Sequence, residues 1–100
     1  MTIKDQIEKI LDDACVPNYL EVVNESANHN VPKDSETHFK VTLVSNEFVD
    51  QKLIHRHRVI NKLLADLLSG PIHALALHLF TQAEWRIKNS VSPDSPDCRG

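Results

Sequence analysis

Apolar positions along this chain switch between a helical and a strand period, and the switches divide it into elements. Ile3, Ile7, Ile10, Leu11 and Ala14 recur at helical spacing across residues 2 to 15, with Thr2 and Asp5 spaced as a capping box. Pro17 stops that helix, and Tyr19 to Glu25 reads as a strand. Ser26 to Glu36 is polar, a long loop for a hairpin. Residues 37 to 45 then alternate. Phe39, Val41 and Leu43 point one way and His38, Lys40 and Thr42 the other, which predicts a sheet with one buried and one wetter face.

After Ser45-Asn46-Glu47 the period returns to that of a helix. Val59, Ile60, Leu63, Leu64, Leu67 and Leu68 form a broad stripe that ends at Ser69-Gly70-Pro71. Ile72 to Phe80 is apolar on both faces, which predicts a strand buried on two sides or paired inside the sheet. Thr81 and Glu84 open a last helix as a second capping box. From Asn89 the chain turns to Ser, Pro and Asp, so residues 1–88 are expected to form one domain and 89–100 a disordered tail.

A strand, a helix and a strand in series predict a right-handed crossover and parallel pairing. The fold class is therefore α+β, in the order α-β-β-α-β-α. It has a small, mixed three-stranded sheet with helices mainly on one face.

Composition narrows the function classes. One hundred residues at 41% hydrophobic and 25% charged fit a single domain with one small core. The net charge of −3 opposes nucleic-acid binding by the chain as a whole, though it leaves room for a local basic patch. No apolar run is long enough to span a membrane, and the N-terminus carries no apolar signal region, so a cytoplasmic location is expected. Cys15 and Cys98 lack metal or redox spacing and are expected to stay reduced. Asn24-Glu25-Ser26 matches a glycosylation sequon that carries no weight without secretion. No nucleophile elbow, phosphate-binding glycine loop or His-Glu-x-x-His is present, and the carboxylates are scattered, so no enzymatic activity is expected.

Two sets of residues could carry chemistry. The first is the basic helix. At about 100° per residue, Arg56 falls within the apolar stripe, His57 at its edge and Arg58 on the opposite side, near His55 and Lys62. Arg56 can pack the helix entrance as a snorkelling or carboxylate-paired residue. Arg58, Lys62, Lys52 and His55 share a solvent face, which is either simply hydrated or available to nucleic-acid phosphates. The second set is the histidines, six in all. His55 and His57 point about 200° apart on a helix, and His73 and His78 face opposite sides of a strand, so neither pair can hold one metal. His29, His38 and His73 are the histidines that a mixed sheet brings to one edge. Imidazoles without nearby thiolates give an incomplete site, whose missing ligands must come from another molecule.

Several segments taken together closely resemble the bacterial BolA proteins: Glu21-Val22-Val23-Asn24-Glu25-Ser26, Ser35-Glu36-Thr37-His38-Phe39-Lys40-Val41, Leu43-Val44-Ser45, Arg56-His57-Arg58-Val59-Ile60 and Ile72-His73-Ala74-Leu75-Ala76. The match is collinear from about Leu20 to Trp85, and Cys98-Arg99-Gly100 is similar as well. The resemblance implies a fold similar to class II K-homology domains. It also implies two activities. The leading one is a non-enzymatic partnership with a monothiol glutaredoxin and its glutathione, the two proteins sharing a bridging 2Fe-2S cluster in cluster trafficking or iron and stress signalling. The alternative is a DNA-binding transcriptional regulator of stress response and cell morphology.

By resemblance, the cluster ligands on this side are His73 and His29, with His38 as a substitute in that region. The DNA-contacting helix carries Arg56, His57, Arg58 and Lys62, with Lys52 beside them. The isolated chain is then expected to be a monomer or weak dimer without a cluster. Two features depart from the family pattern. A glycine usual shortly after the aromatic before the basic helix is replaced in Phe48-Val49-Asp50, and the Gly-x-x-Gly loop of true K-homology domains is absent.

Overall fold

The expected element order, with its middle helix divided in two (α-β-β-α-α-β-α), is present in a computed structural model that describes residues 2–26 and 35–88. Helix α1 (Ile3–Cys15) starts at Thr2, whose hydroxyl accepts from the Asp5 N–H while the Asp5 carboxylate accepts from the Thr2 N–H, as the spacing predicts. Strands β1 (Tyr19–Asn24) and β2 (His38–Val44) pair antiparallel. A 3-10 turn (Asn46–Phe48) leads to α2 (Leu53–Leu63) and the short α3 (Ala65–Leu68). Strand β3 (Ala74–Phe80) pairs parallel with β2, and α4 (Gln82–Ile87) starts from the Thr81–Glu84 capping box. No helix among the described residues is long and apolar enough to cross a membrane. The expected tail lies outside the described residues.

The core lies on one face of the sheet. Ile7, Leu11 and Cys15 of α1 and Ile60, Leu64 and Leu67 of the α2–α3 pair meet Val22, Phe39, Val41, Leu43 and Leu79. Leu64 leaves helical geometry (φ −99°, ψ 13°), so the single long helix expected from the stripe is two helices. Val59 is exposed, and Leu63 and Leu68 are half-buried, so the stripe is narrower than the sequence suggests.

Two expectations about the sheet need correction. Its order is β1-β2-β3, so β3 is an edge strand and β2 the central one. The apolar outer face of β3 reflects partial cover: Trp85 of α4 packs against Phe80 (ring centroids 5.4 Å) and stacks on Tyr19 (5.1 Å). Register sets Tyr19, Val44 and Phe80 side by side on this outer face, so α4 covers the face opposite α1 and α2. At the end that α4 covers, the face expected to be wetter is dry, with Thr42 and Val44 fully buried, whereas His38 and Lys40 further along it are half-buried.

Candidate functional site

Register determines what each end of the parallel β2–β3 pair presents. At one end Val44 lies beside Phe80, and the Ser45 N–H donates to the Phe80 carbonyl at 3.0 Å. The buried Ser45 hydroxyl donates to the Cys15 carbonyl (2.6 Å) and accepts from the Glu47 N–H (3.1 Å), tying together α1, β2 and the 3-10 turn. Arg56 enters the same end from α2. Its guanidinium donates to Glu84 (Nη1–Oε1 2.6 Å, Nη2–Oε2 3.3 Å), to the Gln51 carbonyl (2.9 Å) and to the Leu79 carbonyl (3.4 Å). It also lies 5.7 Å over the Phe48 ring. Arg56 is 5% exposed. The hydrogen bonds from Arg56, ahead of those from Thr81, hold the Glu84 carboxyl below the usual carboxylate range.

At the other end His38 lies beside Ala74. The His38 and His73 rings approach edge to face, with centroids 6.2 Å apart. Thr37 Oγ1 is 2.8 Å from His38 Nδ1, and the Thr37 carbonyl accepts from the N–H groups of His73 (2.8 Å) and Ala74 (3.2 Å). The structure thus brings together two of the three histidines expected at one edge. His29 lies outside the described residues. The flanks of its segment anchor at this edge, since Asn24 Nδ2 donates to the Ser35 carbonyl and the Ser26 hydroxyl accepts from the Thr37 and His38 N–H groups. Among the described residues no cluster of three or more His, Cys, Asp or Glu could hold a metal alone. Two nitrogen donors are fewer than a closed metal site takes.

The basic helix separates into two populations. His55, Arg58 and Lys62 are exposed on one side of α2, and Lys52 is exposed at its N-cap. Arg56 leaves the set of phosphate-contacting candidates: it faces inward one turn before Ile60, with its donors already used by Glu84 and two carbonyls. His57 is half-buried at the edge of the stripe. The run from Lys52 to Ala65 contains no acidic residue. Lys52 makes no side-chain cap, and the Leu53 and Ile54 N–H groups have no acceptor among the described residues. The N-terminal end of α2 therefore combines unpaired N–H groups with cations, an arrangement that favours anions.

Sequence reasoning missed two residues. Ser45 lacks any nucleophile context, and its structural role depends on Cys15, 30 positions away. His78 has a buried Nε2 with no hydrogen-bond partner. Burial first, then nearby Lys40, pushes its pKa below the ordinary histidine value. The missing glycine is also resolved: Asp50 adopts φ 64°, a left-handed conformation that Asp tolerates better than most side chains.

Comparison with known proteins agrees with this architecture. The family model for BolA-like proteins matches residues 11–84. A Vibrio cholerae protein named DNA-binding transcriptional regulator BolA is 52% identical over 98% of this chain and 92% of its own length. The Escherichia coli protein of the same name is 49% identical over 100% of this chain and 95% of its own. Among solved structures, mouse BolA1 superposes with a TM-score of 0.84 at 41% identity, covering 100% of this chain and 80% of that one.

Proposed function

The chain belongs to the BolA-like family, and from that premise we propose that it is a non-enzymatic DNA-binding transcriptional regulator that grips duplex phosphates with α2. The observation that carries this reading is the acid-free run from Lys52 to Ala65, which presents Lys52, His55, Arg58 and Lys62 to solvent beside uncapped N–H groups. The names of the bacterial relatives support it. A chain of net charge −3 binds through such a patch only if the patch itself is free of acid; Asp5, Glu8, Asp12 and Asp13 are on α1, and Asp50 and Asp66 flank the run without interrupting it. Phosphate contacts make affinity fall with salt, by a log–log slope of about 0.9 per contact. Isotherms for duplex DNA across salt concentrations should be steep for the native chain and flatter for Arg58→Ala and Lys62→Ala. A salt-independent isotherm rules the reading out.

A second reading has its own observation, the paired His38 and His73 rings. We propose that this edge binds a 2Fe-2S cluster shared with a monothiol glutaredoxin and its glutathione, with His73 and either His38 or His29 as the ligands on this side. When bound, such a cluster supplies one-electron chemistry, and imidazole in place of thiolate raises its potential. The chain's own contribution is to orient two nitrogen donors and leave the remaining positions to the partner. His73→Ala should change the visible circular dichroism of the anaerobically purified heterocomplex. An unaltered spectrum would remove His73 from the cluster.

A further inference from the structure

Thr37 occupies an unusual position at the histidine edge, because a single residue contacts both imidazole-bearing segments. Its hydroxyl oxygen is 2.8 Å from His38 Nδ1. Its carbonyl accepts from the N–H groups of His73 and Ala74. Its own N–H, with that of His38, donates to the hydroxyl of Ser26, at 3.0 and 3.1 Å. Ser26 is 3% exposed, and its N–H donates to Asn24 Oδ1 at 3.0 Å. The bonds run from the end of β1 through Ser26 to Thr37, and from Thr37 to the His38 ring and to the backbone of His73.

We infer that Thr37 is the positioning residue of the paired-imidazole edge: its hydroxyl accepts from His38 Nδ1–H, so that His38 presents Nε2 as its electron-pair nitrogen, while its carbonyl holds His73 alongside. The inference presupposes that the two rings face a common electrophilic ligand, such as a metal centre. An imidazole serving such a ligand donates its other ring N–H to a fixed acceptor, which selects the tautomer and sets the ring plane. A threonine hydroxyl can fill that role because it both accepts and donates. The backbone carbonyl performs the second task independently of the side chain, so the two tasks can be separated by mutation.

Thr37→Val retains the β-branched shape and the carbonyl but removes the hydroxyl, and Thr37→Ser restores it. The ¹⁵N-labelled full chain can be compared in these three forms by long-range ¹H–¹⁵N correlation of the histidine rings. The spectra are recorded at about pH 8, above the ordinary histidine value. His38 in the native chain and in Thr37→Ser should carry its proton mainly on Nδ1. In Thr37→Val the ratio should invert towards Nε2–H, with the His73 and Ala74 amide resonances nearly unmoved. A native His38 protonated on Nε2, or a tautomer ratio that Thr37→Val leaves unchanged, would overturn the inference. If Thr37→Val does not fold, the native tautomer alone decides. The measurement needs no cluster, so a failed glutaredoxin complex would leave its result intact.

Discussion

The two ends of the parallel β2–β3 pair are built from similar material and reach opposite outcomes. At the Val44–Phe80 end, polar groups are matched inside the protein: Ser45 with Cys15 and Glu47, and Arg56 with Glu84, Gln51 and Leu79. At the His38–Ala74 end, the backbone is matched just as fully through Thr37 and Ser26, while His73 remains exposed. The same contrast appears within one triplet of sequence. Arg56 is buried and paired, whereas Arg58, two residues on, projects into solvent. Cover decides the difference. Elements α2 and α4 converge on the first end, and there a polar side chain is either satisfied internally or costly to keep.

The strongest way to break this comparison is to exchange the fates of the two arginines. Arg56→Ala leaves the Gln51 and Leu79 carbonyls without their donor and removes the partner of Glu84. Because the Glu84 side chain is 45% exposed and can rehydrate, the expected loss is about 2–3 kcal/mol rather than that of a fully buried pair. Arg58→Ala should alter stability by less than about 0.5 kcal/mol. Urea unfolding of both variants checks this, and equal losses would erase the distinction.

Acidity sharpens the comparison with a smaller effect. Glu84 is held below its ordinary carboxylate value, so its pairing stabilises the fold at neutral pH and is lost as pH falls through the lowered folded value. His78 behaves differently. Its folded value lies below that of the unfolded chain, so the unfolded state binds more protons and stability begins to fall once pH drops below about 6.5. Arg56→Met should flatten the first, more acidic limb and His78→Gln the second, in thermal unfolding across pH. If the second limb persists in His78→Gln, its assignment to this ring is wrong.

The smallest effect concerns the turn that enters α2. Asp50→Gly relieves a side chain held at φ 64° but adds freedom to the unfolded chain, so a gain of about 0.5 kcal/mol is expected in chemical denaturation. A loss would mean that the Asp50 side chain has a compensating contact.

Much of this fold was legible in the sequence because local signals agreed with the tertiary ones. The capping boxes at Thr2 and Thr81, the alternation through Phe39, Val41 and Leu43 and the placing of Arg56 within the stripe all depend on spacing alone. The position of β3 and the cover over Thr42 and Val44 were not legible. The first depends on β3 pairing with β2 on the side away from β1, and the second on α4 folding onto the outer face through Trp85, Tyr19 and Phe80, residues from three separate elements. The meeting of His38 with His73 could be anticipated from topology, but the role of Thr37 between them could not, since it depends on contacts across 36 residues of chain.

The central proposal, that α2 contacts duplex DNA, is tested most directly by mapping backbone amide shifts on adding a short DNA duplex. The largest changes should fall on Leu53, Ile54, His55, Arg58 and Lys62, with His38, His73 and Ala74 nearly still. Changes centred on His38 and His73, or none along α2 at low salt, would contradict the account.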